Sequence, residues 1–599
     1  MDRITHMDVK FMWGNSNYQF VSSDSVGNSG GILCVWEATV FKKDYATVSD
    51  NFIAIYGTWI PCNSKVLIVV IYAPQQPSHK SVLWEYISTL LARWNGETII
   101  MGDFNEVRSK DERLGSVFNQ FSARNFDHFI TSSGLVDVKL EGYAFTWSHP
   151  SATKMSKLDR FLVTEGIISL FPSITALCLD RHLSDHRPIL LRELPTDFGP
   201  TPFRFYHSWF RLEGFDDMVE QAWLSLSHTD SNELIRFKKK LQDLKIIIRR
   251  WVKDKKLQQS GVRSSIIKEL SDIDKDLDHE NVSDVVLLKR MELMRQLQDI
   301  NQMETRDSLQ KSKIKWAIEG DENSKFFHGI INKKRSQLSI RGVFVDGNWS
   351  TEPGVVKDAF KNHFAARFKQ PVQGRLKLNI SFTNRLSSEQ VVDMDRSVSR
   401  DEIRLAVWNC GENKSPGPDG YTFEFFRKYW RFVGPDFCAA VEQFFENGSF
   451  PKGCNSSFIT LIPKVTDAKF VTDFRPISLI GCVYKVVTKV LAIRLATVIS
   501  DLVSDTQSAF VANRQILDGP FILNELLTWC KKKKKQVMFF KVDFAKAYDS
   551  VRWDYLLDVL QAFGFGPNWC RWIRGTFSYA MASILVNGSP TSEFPFFVG

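Results

Sequence analysis

The sequence lacks the features that mark a zinc-binding, disulfide-stabilised or membrane-spanning protein. Its nine cysteines are scattered, with no CxxC pair and no paired Cys/His cluster, so we expect reduced core cysteines, an intracellular location and no zinc site. No apolar run approaches the ~18 residues of a membrane span, and residues 1–18 lack the apolar core of a signal peptide. We therefore predict no membrane partner.

A strong net charge is also absent. The 599 residues carry 77 Lys and Arg against 68 Asp and Glu, which gives a net charge of +9 and a pI near 8.9. This mild excess suits a polyanionic partner better than a polycationic one. Apolar content (44%) and charged content (24%) are those of ordinary globular proteins. The length predicts roughly three or four domains.

Short strands are predicted in the first two hundred residues. Residues 51–60, 66–72 and 98–102 are β-rich runs separated by turn residues. Amphipathic helices are predicted at 81–94 and 122–132. This pattern indicates a two-sheet core with helices outside it.

Polar residues that can carry chemistry follow these strands. Asp103 and Asn105 are two positions apart, which places them on one side of an extended chain. Asp185 is a poor partner for its sequence neighbour His186, and Asp159 is a better candidate to orient that imidazole. A His held by an Asp beside a second acidic cluster can move protons and, with Mg²⁺, cleave a phosphodiester. The alternative is a structural His and ordinary turn residues, which are more common.

Six motifs in this part occur in a recognisable order: GNSGGILCVW (27–36), YAP (72–74), GDFN, FTWS, LDR and SDH. They resemble the endonuclease/exonuclease/phosphatase family, a metal-dependent, DNase I-like four-layered α/β sandwich, over about residues 12–193. The resemblance implies that Asp103 and Asn105 position the attacking water and the phosphate. It also implies a phosphate contact for Tyr72, and a position near the metal for Asp185.

One departure from this family weakens the expected activity. Family members carry a strand ending in Asn and another ending in a metal-binding Glu before the GGI segment, whereas this sequence begins after that point. Glu37 and Glu85 stand in other contexts. We therefore expect impaired metal binding, an open sheet edge and little or no nuclease activity.

Helices are predicted beyond residue 203. Apolar residues with 3-4 spacing at 234–251 and again at 266–277, on either side of Gly261, predict two or more long helices packed as a hairpin. Ser264 or Ser265 is a possible cap, and 287–300 a further helix. Residues 236–256 carry ten Lys and Arg against two Asp. They form either a phosphate-binding groove or, more commonly, the solvated face of a helix.

The last third centres on residues 537–542, an apolar run that predicts a buried strand ending at Asp543. A helix capped by Asp549 or Ser550 and ended by Gly564 is predicted next. From these residues alone, Asp543 could equally cap a βα turn. Lys464 and Arg475 follow apolar segments, where cations can meet a phosphate, although each is more often a surface cation. The five lysines at 531–535 predict a solvated loop.

Five motifs, SPGPDG, LIPK, DFRPISL, QSAFV…RQILD and FKVDFAKAYD, resemble in order the reverse transcriptase of LINE-type (non-LTR) retrotransposons, especially plant ones, over about residues 400–599. A segment at 316–332 resembles one that plant members carry between nuclease and polymerase domains. The resemblance implies DNA and RNA partners, Mg²⁺ and a nuclear location. It implies that Lys464 and Arg475 contact the incoming nucleotide, Asp543 binds metal, and Tyr548 checks the sugar.

A second departure lies at the other end of the chain. In the family, two more catalytic aspartates come from a later (F/Y)xDD hairpin, and this sequence ends at Gly599 before it. Because one carboxylate cannot hold two metal ions, we expect no DNA synthesis by this chain alone. The alternatives are a non-catalytic nucleic-acid-binding or interaction remnant and, less consistently with the motifs, a stand-alone phosphatase.

The predicted fold class is therefore a multidomain combination of α/β and α+β parts. We predict a four-layered sandwich lacking its first strands at 1–195 and a helical connector at 196–350. A helical region at 351–455 then leads into right-hand polymerase fingers and a partial palm at 456–599.

Overall fold

The computed structural model describes residues 4–14, 17–25, 30–277, 283–312, 339–369, 374–375, 377–378, 380, 382–411, 414–465, 467–542 and 551–597. The predictions made for Asp543, Tyr548, the caps at Asp549 and Ser550, and residues 316–332 lie outside this part of the chain.

The chain divides into two compact units. The first comprises Met1–Asp197, Asn332–Val356 and Pro463–Asp473, and the second comprises Phe198–Ile331, Lys357–Ile462 and Phe474–Gly599. The predicted connector at 196–350 is not a unit of its own. Its long helix packs along the helix Trp430–Asn447 and shares one hydrophobic core with it, so most of the connector belongs to the second unit.

The first unit is built mainly from strands. These are β1 (Tyr18–Ser23), β2 (Ile32–Glu37), β3 (Phe41–Val48), β4 (Phe52–Trp59), β5 (Ser64–Tyr72), β6 (Glu97–Asp103), β7 (Arg113–Leu114), β8 (Leu135–Asp137), β9 (Leu140–Gly142), β10 (Trp147–Ser148), β11 (Met155–Ser156), β12 (Asp159–Thr164), β13 (Ile174–Cys178), β14 (Ile189–Glu193), β15 (Val343–Val345) and β16 (Asn348–Ser350). Its helices are α1 (His6–Trp13), α2 (Pro77–Arg93), α3 (Gln120–Ser132) and α4 (Glu165–Leu170).

A six-stranded sheet in the order β3-β4-β5-β6-β12-β8 forms the centre of this unit. Alternate residues of its strands enter two different cores, as strand geometry requires. Phe52, Ala54 and Tyr56 pack with α2 and α3 on one face. Ile53 and Ile55 pack on the other face with residues of β2 and of the sheet β14-β13-β9. The result is a two-sheet sandwich with helices outside it, and the predicted mixed α/β class is confirmed.

The sequence located these elements closely. The strands predicted at 51–60, 66–72 and 98–102 are β4, β5 and β6, and the two predicted helices are α2 and α3. α2 begins at Pro77, four residues before the predicted start, because a proline suits the first turn of a helix, where its missing N–H is not needed.

The second unit is mostly helical. Its helices are α5 (Phe215–Ser225), α6 (Glu233–Leu277), α7 (Asp284–Ser312), α8 (Pro353–Arg367), α9 (Ser388–Asp395), α10 (Arg400–Trp408), α11 (Phe423–Lys428), α12 (Trp430–Asn447), α13 (Cys482–Leu502), α14 (Asp518–Lys532), α15 (Trp553–Ala562) and α16 (Pro567–Phe577). The strands β17 (Ser457–Pro463), β18 (Phe474–Ile480), β19 (Met581–Val586), β20 (Ser589–Pro590) and β21 (Phe594–Pro595) form one sheet, in which β17 and β19 are parallel.

The prediction of a helix break near Gly261 is wrong. α6 runs unbroken from Glu233 to Leu277, and Ser264 donates to the carbonyl of Ser260 instead of capping a new helix. A mid-helix glycine costs only about 1 kcal/mol, which packing on both sides of it outweighs. A helix hairpin is present, but α6 and α7 form it, not the two segments on either side of Gly261.

The prediction of a buried strand at 537–542 is also wrong. These residues have no regular secondary structure, and Met538 and Phe540 are 87% and 85% exposed. No strand in the described part of the chain pairs with them, and an unpaired apolar segment has no partner against which to bury its side chains. The following helix, α15, begins at Trp553 with Arg552 at its N-cap and is followed by Gly564 at φ +89°, the expected stop.

The cysteines and the apolar segments were the subject of two expectations from composition. All cysteines are free, and only Cys62 is exposed, which agrees with core cysteines. Among the helices of the described residues, none is long and apolar enough to cross a membrane.

Candidate active site

Three predicted residues of the first unit lie side by side at one end of its central sheet. β5 and β6 are parallel and pair Tyr72 with Asp103, while β12 runs antiparallel to β6 and pairs Asp103 with Asp159. Ends of neighbouring strands meet at one sheet edge, so three distant segments place their polar residues together here. At Gly102, φ is +125° and a Cβ would lie 2.0 Å from the Ile71 carbonyl oxygen, so only glycine allows this approach just before Asp103.

His186 completes this arrangement. Its Nδ1 lies 2.8 Å from Oδ2 of Asp159, and its Nε2 lies 3.9 Å from Oδ2 of Asp103. Because a carboxylate can only accept, Nδ1 carries the proton in this contact and Nε2 faces Asp103. The structure therefore brings together the pair that the sequence proposed, Asp159 and His186, and sets Asp103 on the other side of the imidazole.

Asn105 forms a tight turn directly after β6. Its φ is +48°, its amide N–H donates to Oδ1 of Asp103 at 2.8 Å, and its Nδ2 donates to the carbonyl of Ala73 at 2.7 Å. Lys80 of α2 donates to the carbonyl oxygen of Asn105 at 2.7 Å and forms a 2.9 Å ion pair with Glu106. Lys80 is 6% exposed and Glu106 3%, so a buried ion pair fixes the turn that carries Asn105.

The electrostatics of the three ionisable groups reflect their crowding. Burial, followed by the charge of Asp159, raises the pKa of Asp103 to about 6. Burial acts to lower the pKa of His186, but the hydrogen bond and charge of Asp159 outweigh it and the net pKa is raised. Near neutral pH the site therefore holds a proton that can be exchanged, which is what general acid–base catalysis requires.

Asp185 takes part less directly. The indole N–H of Trp147 donates to Oδ2 of Asp185 at 2.8 Å, and this hydrogen bond lowers the pKa of Asp185. Thr146, which is fully buried, accepts the amide of Asp159 at its hydroxyl and the amide of Arg187 at its carbonyl. Thr146 and Trp147 thus connect the two segments that carry Asp159 and His186.

The sequence did not reveal the buried charge network beneath the site. Arg160, 1% exposed, donates to Glu112 at 2.7 Å and to Asp137 at 2.9 Å. The charge and hydrogen bonds of Arg160 overcome burial and lower the pKa of Glu112 to about 2. Since Arg160 follows Asp159 on β12, this network fixes the strand that presents Asp159. The LDR motif contained the arginine, but its acidic partners are remote in sequence.

Of the predicted nucleotide-binding cations, Lys464 directly follows β17 and Arg475 lies on the neighbouring strand β18. Lys464 donates to the carbonyl of Thr472 at 2.6 Å within the loop Pro463–Asp473. Arg475 is exposed on β18. The SPGPDG motif forms the rigid turn that its composition predicts, since Gly420 donates to the carbonyl of Gly417 and Asp419 accepts the amide of Cys482.

The first site fits a hard divalent cation in part. Asp103 and Asp159 offer carboxylate oxygens side by side, and Mg²⁺ is commonly held by one or two carboxylates together with water and substrate phosphate. The carboxylate of Asp185, the predicted metal residue, accepts a hydrogen bond from the indole N–H of Trp147. Within the described residues, no three His, Cys, Asp or Glu side chains gather as a metal cage.

A strand-end site with two acids and a histidine lies in the first unit, and polymerase-like motifs occur in the last third of the sequence. Residues 462–599 match the family described as reverse transcriptase (RNA-dependent DNA polymerase). Together with the relatives described next, this match shows a LINE-type retroelement protein, as the motifs indicated. The plant origin stays a prediction.

The curated relatives are transposon proteins. The chain is 25% identical over 542 residues to a transposon TX1 uncharacterized 149 kDa protein from Xenopus laevis, covering 88% of this chain and 41% of that protein. It is 26% identical over 212 residues to the Pol polyprotein of the type-2 retrotransposable element R2DM from Drosophila melanogaster, covering 35% of this chain and 20% of that protein. The chain thus spans less than half the length of these relatives.

Solved structures similar to the chain include two nucleases. One is the endonuclease domain of TRAS1, a telomere-specific non-LTR retrotransposon (16% identity, 30% of this chain and 79% of that chain, TM-score 0.24). Another is the AP endonuclease LMAP from Leishmania major (15% identity, 32% of this chain and 75% of that chain, TM-score 0.26).

Proposed function

We propose that the first unit cleaves phosphodiester bonds in DNA, with His186 as the proton-transfer group and Asp159 as the residue that orients it. The observation that carries this proposal is the 2.8 Å contact between Nδ1 of His186 and Asp159, because it leaves Nε2 free to exchange a proton. Asp103 and Asn105 then position the attacking water and the phosphate, and Tyr72 contacts the phosphate from the adjoining strand end.

Mg²⁺ is the proposed cofactor, held by Asp103 and Asp159 with Asp185 nearby. When bound, the ion would neutralise charge on the phosphate. The protein's own contribution is the fixed imidazole and the buried turn at Asn105. Because only Asp103 and Asp159 are proposed to hold the ion directly, we propose that Mg²⁺ binds weakly and that the cleavage activity is low.

Plasmid nicking tests this proposal. Supercoiled DNA is incubated with the purified chain and Mg²⁺, and the rate is compared with His186→Ala and with His128→Ala, a control that removes an exposed His on α3. We expect His186→Ala to lose about 100-fold or more, the usual contribution of a general acid or base, and His128→Ala to match the parent. Equal nicking by all three proteins would refute the role of His186. Nicking by none of them would favour a non-catalytic nucleic-acid-binding remnant.

For residues 462–599 we propose the chemistry of the matched family, RNA-directed DNA synthesis. Asp543 is the proposed metal-binding carboxylate, Tyr548 the residue that checks the sugar, and Lys464 and Arg475 the cations that contact the nucleotide. Primer extension on an RNA template tests the assignment: Asp543→Ala should abolish any extension, whereas Asp358→Ala, an exposed acid on α8, should not.

DNA and RNA are the proposed partners, and the nucleus is the proposed location, because an element of this class acts on chromosomal DNA. Immunofluorescence of the tagged chain would test the location. A purely cytoplasmic signal would contradict it.

A further inference from the structure

Six of the ten basic residues of α6 between positions 236 and 256 form two groups of three with different surroundings. In the first group the cations are neutralised by acids of the same unit. The ion pairs are Arg236 with Glu233 (3.0 Å), Lys239 with Asp230 (2.7 Å) and Lys240 with Asp436 (2.8 Å). These charges stabilise the local structure and leave little positive potential for a ligand.

The second group has a different environment. Lys245, Arg249 and Lys253 recur every four residues, so they lie on one side of the helix, about 6 Å apart along its axis. In the described part of the chain none of the three has a carboxylate within 4.0 Å. Burial and the charge of Arg249 lower the pKa of Lys245, against a smaller opposing effect of Asp419. The row therefore carries positive charge that no direct ion pair neutralises in the described part of the chain.

This row connects two cavities on the same helix. The first, of about 350 Å³, is lined by Lys245, Gln242, Asp419, Tyr484 and Glu593 among others. The second, of about 420 Å³, is lined by Trp209, Arg249, Val252, Lys253, Lys256 and Leu257. The backbone of α7 also passes the segment that carries Trp209. Both volumes lie in the ~300–1,000 Å³ range of ligand pockets, and each cavity has an aromatic ring in its wall.

We propose that this side of α6, which we call the α6 track (Lys245, Arg249 and Lys253 with Tyr484 and Trp209), binds single-stranded nucleic acid. The cations contact successive phosphates, and bases enter the two cavities against the aromatic rings. A basic row flanked by aromatic surfaces is how proteins hold single strands without reading sequence. The proposal rests on the proposed function, since it names where a retroelement protein would hold its RNA or DNA strand.

Charge distribution favours this occupant over an acidic peptide or a bare solvated face. Asp419 and Glu593 border the first cavity, but the carboxylate of Asp419 already accepts the amide of Cys482. The second cavity has mainly apolar walls, on which a nucleic-acid base can pack but which offer nothing to the carboxylate of an acidic peptide. A merely solvated face would need no aromatic-walled cavities beside its unpaired cations.

Two matched triple variants test the proposal. In the track variant, Lys245→Gln, Arg249→Gln and Lys253→Gln remove three unpaired charges. In the control variant, Arg236→Gln, Lys239→Gln and Lys240→Gln remove three paired charges from the same helix. Affinity for labelled RNA and DNA single strands of about 15 nucleotides is measured by fluorescence anisotropy between about 50 and 200 mM salt.

We expect the track variant to bind at least about tenfold more weakly at low salt. We also expect its slope of log K against log[salt] to fall by about 2, since each phosphate contact on a single strand contributes about 0.7. The control should keep the parent slope. Equal losses in both variants, or no loss in either, would refute the track. A loss in the track variant alone, whether with RNA, with DNA or with both, supports the track and shows which strands it binds.

Two further measurements keep the test decisive. If the triple variant is misfolded by circular dichroism, Lys253→Gln alone, at an exposed position, should lower the slope by about 0.7; an unchanged slope would refute the track. Binding is measured without nicking or synthesis. Catalysis that His186→Ala or Asp543→Ala leaves unchanged would therefore contradict the proposed function alone, whereas binding that the track variant leaves unchanged would contradict the track alone.

Discussion

Asp103→Asn should stabilise the first unit at neutral pH, although it removes a residue proposed to be essential for activity. Asp103 is 9% exposed, and its pKa is raised from 3.8 to about 6 by burial and by Asp159. An asparagine keeps the size of the side chain and can still accept the amide of Asn105 through its carbonyl oxygen. It removes the buried negative charge that faces Asp159.

The sign follows from proton binding. Because the folded-state pKa of Asp103 is higher than the unfolded one, the folded protein binds more protons between pH 3.8 and about 6, so stability falls as the pH rises through this window. Each pKa step of one corresponds to about 1.4 kcal/mol, which gives a penalty on the order of 3 kcal/mol above pH 6 in the parent. Since Asp103 also attracts His186, we expect Asp103→Asn to recover about 1–3 kcal/mol at pH 7.5 and close to nothing at pH 4.

Hydrogen exchange measures this effect in the intact chain. The free energy of opening is taken from amides of β6 and β12 at pH 4.5 and 7.5 for the parent, Asp103→Asn and Asp185→Asn. Asp185 is the matched control because its pKa is lowered by the Trp147 hydrogen bond, so its ionised form is favoured by folding and its replacement should cause a small loss. A gain for Asp103→Asn that does not change with pH, or no gain at pH 7.5, would refute the reasoning.

Two further predictions concern stability. Lys80→Met leaves Glu106 buried without its partner and should lower the free energy of unfolding by about 3–5 kcal/mol. Lys65→Met removes an exposed ion pair with Asp44 of similar length (2.8 Å) and should lower it by less than about 1 kcal/mol. Hydrogen exchange of β5 and β6 measures both effects, and equal losses would contradict the prediction. Gly261→Ala should raise the stability of α6 by about 0.5–1 kcal/mol, because apart from the neighbouring residues and backbone of α6 itself no atom lies within 4 Å of the added Cβ. A loss of helicity by circular dichroism would indicate a break at this position.

The fold of the first unit could be predicted largely from residue patterns. The alternation of Phe52, Ala54 and Tyr56 with Ile53 and Ile55 shows a strand buried on both faces, and both neighbouring cores use it in this way. A pattern of this kind depends on the local backbone alone. The pairing of Asp159 with His186 was also predictable, because adjacent Asp185 could not orient the ring.

Features that depend on distant partners were not predictable. Lys80 and Arg160 are long charged residues that sequence patterns place on the surface. Only the fold shows that they are buried in ion pairs, Lys80 with Glu106 and Arg160 with Glu112 and Asp137. The apolar run at 537–542 shows the opposite case, since its composition predicts burial but no described strand supplies the partner. Gly261 is a break signal that the contacts of α6 override.

Charged groups that lie beside a like charge are therefore the groups that best indicate candidate binding sites in this molecule. Where the fold supplies an opposite charge, as Glu112 and Asp137 do for Arg160, the side chain contributes to structure and its pKa moves toward the charged form. Asp103 lies beside Asp159 and Lys245 beside Arg249, so burial and a neighbouring like charge together move the pKa values of Asp103 and Lys245 toward the neutral form. Such pairs lower stability, and a fold that keeps them places them where a ligand of opposite charge can bind. By this argument the sheet end would accept a cation or a proton, and the α6 track would accept phosphates.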